Sequence, residues 1–308
     1  MPHIAVTIPA AFDGDSVAHA AHTLYNVTEN QISRLKFIAD GIVLNGRRSH
    51  TNAVVHAGDV LELYLDDVNK ANPFVPVHIP LSIIYEDPFI AILNKPSNLA
   101  VHGSPRNSCP TLANALSYCW GSNISFHPVS RLDRTTSGLM LIGKNAYIHD
   151  FFRKNLHSPY FLRIYIAYVQ GEINSNFGCM SEHISQNKNK FGQYFCSSDS
   201  HSRPSYTYFR LIKRSPEVSK VSVIPLTGRT HQIRVHFAAH GHSLCGDTLY
   251  GGNNCFLKRP ALHSAELYIY HPIYKRYLHF VCPIPTDLEK VDEWVLNRAS
   301  LVSQHQQS

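Results

Sequence analysis

HPVSRLDRTTSGLMLIGK, residues 127–144, decides how the rest of the chain is read. A charged cluster, Arg131-Leu132-Asp133-Arg134, leads through Thr135, Thr136, Ser137 and Gly138 into the apolar run Leu139–Ile142. Small hydroxylated residues followed by glycine favour a tight loop before a strand. Asp133 sits between two arginines, and neighbouring positive charge keeps a carboxylate ionised. An ionised carboxylate on a loop at the mouth of a strand can serve as a nucleophile or base. The same residues could equally form a surface ion-pair cluster of little energetic consequence.

Working outward, a second dense segment is LTGRTHQIRVHFAAHGHSLCGDTLYGG, residues 226–252. Thr227-Gly228 reads as a turn, and residues 231–240 read as a helix with Ile233, Val235, Phe237, Ala238 and Ala239 apolar. Arg229, His231, Arg234 and His236 crowd its start. Arginine offers a planar fork suited to phosphate or carboxylate. This is either a phosphate-contacting helix or a solvated face. Phosphate-cradling motifs of the G-x-x-x-x-G-K-[ST] and G-x-G-x-x-G kinds are absent, as are H-E-x-x-H and G-x-S-x-G. Nucleotide-cofactor, zinc-protease and serine-hydrolase readings therefore lack support.

The remaining chain supplies the frame. A length of 308 residues suits about two domains. Residues 1–70 read as a small unit, with a helix over 30–40 closed by Gly41, a β-run at Ile42–Asn45 and a hairpin turn at Asn45-Gly46. Gly58-Asp59 marks another turn, before a strand at Val60–Leu65. Residues 71–80 hold three prolines and read as an extended linker. Residues 81–300 alternate β-runs (Phe89–Leu93, Leu139–Ile142, Ile164–Val169, Lys220–Ile224) with short helices. The pattern predicts an α+β fold around a mixed, mostly antiparallel sheet, behind a small α/β N-terminal domain. Residues 301–308 are polar and read as a frayed tail.

Seven cysteines without a C-x-x-C pair argue against a disulfide framework or zinc site and read as reduced thiols, mostly core fillers. No run of 18 apolar residues spans a membrane, and the first residues resemble neither a signal peptide nor a presequence, so a cytoplasmic location is expected.

The two dense segments together resemble the RluA-type pseudouridine synthases. Arg131-Leu132-Asp133-Arg134 through Leu139 is similar to that family's H-R-L-D-x-x-T-S-G-L, and Thr227 through His236 to T-G-R-x-H-Q-I-R-V-H. Gly246-Asp247-x-x-Tyr250-Gly251 is similar to G-D-x-x-Y-G, and Arg163-x-Tyr165-x-Ala167-x-Val169-x-Gly171 to K-x-Y-x-A-x-V-x-G. Tyr85-Glu86-Asp87, Asn94-Lys95-Pro96, Val101-His102, Leu262-His263-x-Ala265 and His271-Pro272 complete the family's order over residues 81–285. Ser33-Arg34, Gly41–Gly46 and Ala57–Val60 resemble an alpha-L RNA-binding module.

The resemblance implies an RNA pseudouridine synthase that turns uridine into pseudouridine in structured RNA. Large-subunit ribosomal RNA is the expected target and transfer RNA the alternative. It also implies a monomer that needs no cofactor and no metal. Asp133 would be the catalytic nucleophile, attacking either the anomeric carbon or ring carbon 6. Arg234 would pair with it, and Tyr165 would stack on the base and assist proton removal from carbon 5. The target base must leave its helix to be reached. Arg131 would fill the vacated space or contact phosphate, and Lys95, Arg134, Arg229 and His231 would be RNA contacts. Ser130 replaces the family's His, Arg163 its Lys, Asn98 a Gly and Gly103 a Pro. A catalytically idle RNA-binding or chaperone-like protein is the competing reading, against which Asp133, Tyr165 and Arg234 all stand.

The net charge of +6 is unevenly held. Residues 1–70 carry five Lys/Arg against eight Asp/Glu, whereas the rest carries 23 against 14. The resemblance places RNA in the basic part, so removal of residues 1–70 is expected to weaken RNA binding less than about tenfold, roughly 1.4 kcal/mol.

Overall fold

A computed structural model describes residues 3–65, 74–103, 109–121, 125–190, 192–253 and 257–305. The N-terminal unit contains β1 (His3–Thr7), α1 (Val17–Tyr25), α2 (Glu29–Leu35), β2 (Ile42–Leu44), β3 (Arg47–Arg48) and β4 (Val60–Tyr64). Its antiparallel sheet runs β1-β4-β2-β3. The helix starts follow capping chemistry. Ser16 accepts the His19 N–H, and Thr28 and Gln31 form a reciprocal capping box. The hairpin turn stands as read, with Asn45 and Gly46 both at positive φ (52° and 72°).

One expectation fails here. The second helix ends at Leu35, so Gly41 does not cap it. The chain folds back so closely that a Cβ on Gly41 would sit 2.0 Å from the Leu35 carbonyl oxygen. Ile32 and Leu35 are buried, whereas Phe37, within the span 30–40, is 82% exposed.

The larger sheet is built from β5 (Ser82–Glu86), β6 (Ile90–Lys95), β7 (His127–Pro128), β8 (Ser137–Gly143), β9 (Phe161–Gln170) and β10 (Phe177–Met180). β11 (Ile184–Gln186) and β12 (Tyr194–Cys196) form a separate hairpin. β13 (Thr207–Arg214), β14 (Val218–Pro225), β15 (Leu262–His271) and β16 (Arg276–Val281) complete the strands. The order is β10-β13-β14-β9-β15-β8-β6-β5, with β16 beside β15 and β7 beside β8. Among the described strands only β15 and β8 pair in parallel; every other pairing is antiparallel. The helices are α3 (Leu112–Trp120), α4 (Ala146–Lys154), α5 (Gln232–Ala239) and α6 (Thr286–His305).

β8 is buried along its whole length, which explains its unbroken apolar sequence. Leu139 and Leu141 join the core shared with α4 and the N-terminal unit, while Met140 and Ile142 join the core beneath α3 and α5. The loop that carries Asp133 therefore enters the central strand of a sheet covered on both sides. The first core is one continuous apolar cluster from Ile4 through Phe152 to Ile269. Tyr147 on α4 donates to the Tyr25 carbonyl at 2.7 Å, and Gln31 donates to Asp150 at 3.0 Å.

Residues 74–80 of the expected linker have no regular structure and lie against α3, where Asn114 donates to the Val75 carbonyl. Residues 71–73 fall outside the described residues. The expected tail is helical through His305, as a continuation of α6; residues 306–308 are outside the description. Of the six described cysteines most are not core fillers, and Cys255 lies outside the described residues. Cys245 and Cys282 are buried, Cys196 is half-buried, and Cys109, Cys119 and Cys179 are exposed. Among the described residues no helix is long and apolar enough to cross a membrane.

Candidate active site

The loop between β7 and β8 lowers Asp133 into a cavity of about 670 Å3, within the usual range for ligand sites. Tyr165 from β9, Arg234 from α5 and Leu262 from β15 line the same space. Arg131, Arg134, Arg229 and His231 also line it, along with His149, Arg153 and His157 on and after α4. Arg131 and Arg134 are exposed and free to meet solvent-borne ligands. Arg229 is half-buried and donates to the Pro204 carbonyl at 3.1 Å.

Buried cations hold the backbone of this loop. Lys95 is fully buried and donates to the carbonyls of Pro96, Leu99 and Arg134 at 2.8, 2.9 and 3.3 Å. Lys95 is therefore not an RNA contact, because no surface of it reaches the cavity. Its burial pushes the ammonium group down to about 7, partly opposed by the nearby Asp133 charge. Arg259 pairs with Asp287 through two bonds (2.6 and 2.9 Å) and also donates to the Thr135 carbonyl at 3.4 Å. The carbonyls immediately after Asp133 are thus tied both to β6 and, through Asp287, to α6. Asn98, at φ 62°, offers its carbonyl to Arg134 at 3.3 Å. Asparagine tolerates this left-handed backbone, so its replacement of the family's glycine is accommodated.

Gly138 is required where the loop becomes strand. Its φ is 110°, and a Cβ there would lie 2.2 Å from the Ser264 carbonyl oxygen on the parallel neighbour. Beside it, Ser137 donates to His263 Nδ1 at 2.9 Å, because His263 Nε2 faces the Cys282 carbonyl at 3.3 Å and must carry the hydrogen. Burial pushes this histidine down to about 4.

Arg234 is buried and forks onto Asp247 through Nε (2.7 Å) and Nη2 (2.8 Å). Its Nη1 donates to Asp133 Oδ2 at 3.3 Å. The sequence reading paired Arg234 with Asp133 alone. Asp247 is the stronger partner, and it aims the third donor at Asp133. Arg234 stays charged: burial opposes this, but the Asp247 pair outweighs it. The Tyr250 ring lies 5.1 Å from the guanidinium carbon.

Tyr250 also sets the tautomer of His231. Its oxygen accepts the Tyr194 N–H at 3.0 Å, so its hydroxyl donates to His231 Nδ1 at 2.9 Å. The His231 Nε2–H is then left facing Asp133 Oδ2 at 3.8 Å. Burial lowers the affinity of this histidine for a second proton. His231 thus belongs to the surroundings of Asp133 as much as to the cavity wall. Tyr165 is 5% exposed, and burial raises its hydroxyl, with Arg163 pulling it down and Asp133 pushing it further up.

Asp247, Tyr250 and Arg259 were not singled out from the sequence for any role. The first two lie in the quoted G-D-x-x-Y-G motif, which was the available signal; Arg259 lies in no motif. Among the described residues one set with metal-ligand chemistry comes together: Glu182, Cys196 and His236, with ligand atoms within 4.8 Å of one another. His236 Nε2 faces the Glu182 carbonyl at 3.1 Å and so carries its hydrogen, while Nδ1 takes the Thr207 hydroxyl at 2.9 Å. The ring has no lone pair left for an ion in this arrangement.

A family profile described as RNA pseudouridylate synthase matches residues 90–239. The chain is 29% identical over 268 residues to the uncharacterized RNA pseudouridine synthase YjbO of Bacillus subtilis, covering 86% of this chain and 94% of that one. It is 33% identical over 254 residues to ribosomal large subunit pseudouridine synthase D of Blochmanniella floridana, covering 75% and 78%. Among solved structures, human RNA pseudouridylate synthase domain containing 1 superposes with a TM-score of 0.57 at 27% identity, covering 67% of this chain and 84% of that one.

Proposed function

Because the chain belongs to the RNA pseudouridylate synthase family and is an RNA pseudouridine synthase, we propose that Asp133 is its nucleophile and large-subunit ribosomal RNA its substrate. The observation that carries the first part is a half-exposed carboxylate at the base of the cavity, with Arg234 donating to it and Tyr165 beside it. The substrate assignment is supported by the names of the relatives, several of which act on the large ribosomal subunit.

Each residue then has a part in the reaction. A uridine turned out of its helix enters the cavity and lies against the Tyr165 ring. Arg131 and Arg134, exposed at the mouth, meet the backbone phosphates. The Arg234 N–H holds one Asp133 oxygen, leaving the other to attack the anomeric carbon or ring carbon 6. The bond between N1 and the anomeric carbon breaks, the base turns and rejoins the sugar through carbon 5, and the carbon 5 proton is lost as N1 gains one. Uridine and pseudouridine contain the same atoms, so the isomerisation consumes no co-reactant.

The test is pseudouridine mapping on ribosomal RNA with wild-type and Asp133→Asn protein. The variant is expected to lose activity on the order of 10⁶-fold, the scale for removing a nucleophile, while still binding RNA. Retained activity would remove Asp133 from its role. Sites lost only from transfer RNA in cells lacking the protein would overturn the substrate assignment.

A further inference from the structure

Four Lys or Arg side chains are buried among the described residues: Lys95, Arg163, Arg234 and Arg259. Three of them are fully partnered. Lys95 has three carbonyls, Arg234 two carboxylates, and Arg259 one carboxylate and three carbonyls. Arg163 differs. It is 7% exposed, its Nη2 makes one long bond of 3.4 Å to the Pro225 carbonyl, the Phe161 ring lies 5.4 Å from its guanidinium carbon, and its Nε is buried with no hydrogen-bond partner. No carboxylate among the described residues pairs with it. A buried cation without a counter-charge is unfavourable unless something supplies one.

Position indicates what supplies it. Arg163 lines the Asp133 cavity, two residues before Tyr165 on the same face of β9. The two side chains are therefore neighbours about 7 Å apart along the strand. Arg163 is close enough to act electrostatically on the Tyr165 hydroxyl. A Cβ on Gly228 would lie 3.9 Å from Arg163 Nη1, so the turn above the guanidinium leaves it uncrowded. The phosphates of an RNA strand stay at the mouth, beside the exposed Arg131 and Arg134. What enters deeply enough to meet Arg163 is the extruded base.

We propose that Arg163 is a catalytic residue that donates to a uracil carbonyl oxygen and carries the negative charge the base acquires during the isomerisation. The inference rests on the reading of Asp133 given above. If Asp133 bonds to the anomeric carbon, the bond from that carbon to N1 breaks and its electron pair leaves with the ring. The charge then spreads over N1 and both carbonyl oxygens. Carbon 5 next bonds to the anomeric carbon, the carboxylate departs with its electron pair, and the carbon 5 proton is lost as N1 gains one. If Asp133 adds to carbon 6 instead, the displaced pair moves onto the carbonyl oxygen at carbon 4. In both routes an oxygen of the ring becomes anionic, and a fixed cation in a water-poor site favours that state over the neutral base.

The experiment compares wild type, Arg163→Met and Arg163→Lys on large-subunit ribosomal RNA transcribed in vitro, with kcat, KM and melting temperature measured for each. For Arg163→Met kcat should fall about 100-fold, the usual cost of losing one such donor, with KM nearly unchanged. Arg163→Lys restores the family pattern's residue and its charge, and should stay within about tenfold of wild type. Melting of Arg163→Met should not fall, because an unpaired buried charge has been removed. A raised KM with unchanged kcat would overturn the proposal in favour of a phosphate contact, and unchanged kinetics would also overturn it. If Arg163→Met fails to fold, Arg163→Gln takes its place as the neutral variant, and a folded Arg163→Gln with kcat within about tenfold of wild type would overturn the proposal, as would failure of both neutral variants to fold. A wild type inactive on this RNA would sink the underlying reading together with the inference.

Discussion

The N-terminal unit and the catalytic cleft use charge in opposite ways. The unit formed by residues 1–70 is acidic in sequence, and the charged groups of its described residues lie mainly at the surface. Asp13 is exposed and Asp59 half-buried, and both cap local turns, accepting from Ala57 and from His56 and Asn45. Its interior is apolar, from Ile4 to Leu65. The cleft belongs to the basic remainder and buries Lys95, Arg163, Arg234 and Arg259, together with the carboxylate of Asp247, beside Asp133. Surface charge in water contributes little to a fold, whereas buried charge must be matched atom by atom. One region can thus lose a charge at small cost, whereas the other cannot lose one partner of a buried pair at small cost.

The largest effect expected from this contrast is at Asp247. Asp247→Ala leaves Arg234 buried without its fork partner, so unfolding free energy should drop by about 3–5 kcal/mol, and product formation should fall with it. A chemical denaturation series measures the first and a pseudouridine assay the second. A change below about 1 kcal/mol would mean that Arg234 does not depend on its fork partner, and the contrast would fail.

RNA affinity gives the next test. Arg131→Ala should lower the slope of log affinity against log salt by about one, the signature of a lost phosphate contact. Arg47→Ala with Arg48→Ala, both exposed on β3, should leave that slope nearly unchanged. A larger loss from the β3 pair would move the RNA site to the N-terminal unit. These substitutions are cleaner than deletion, since residues 1–70 share a continuous core with the sheet and α4.

Lys95 sharpens the contrast through pH. Its ammonium falls from 10.5 in the unfolded chain to about 7 in the fold. Below about 7 both states hold the proton. Between about 7 and 10.5 only the unfolded chain holds it, so this group makes stability rise with pH through that window and level off above it. Comparing the pH dependence of unfolding in wild type and Lys95→Met isolates the contribution, and identical slopes would show that the ammonium keeps its proton in the fold. The smallest effect is expected at the seam between regions. Gln31→Ala removes a half-exposed bond to Asp150 and should cost about 1 kcal/mol without changing kcat.

Much of the frame was legible in local sequence. The apolar run Leu139–Ile142, the turn at Asn45-Gly46 and the helix after Thr227-Gly228 depend on neighbours a few residues away, and they form where expected. The helix placed over 30–40 failed because its end is decided by the close return of Gly41 onto Leu35, which periodicity does not encode. Lys95 was misread as an RNA contact for a similar reason. A lysine beside a proline looks exposed until the carbonyls of residues 96, 99 and 134 are seen to surround it.

The sequence by itself determined the family, the mixed and mostly antiparallel fold, and the residue types gathered for chemistry, because these lie in contiguous motifs. Only the tertiary structure decided which charges face one another. Asp133 and Arg234 are 101 positions apart, and Thr135 and Arg259 are 124 apart. Burial and pairing of a charge are set by whatever the fold brings within about 3 Å, which no spacing along the chain specifies. That is why Asp247 outranks Asp133 as partner to Arg234, and why Arg163 stands out for having no carboxylate partner among the described residues.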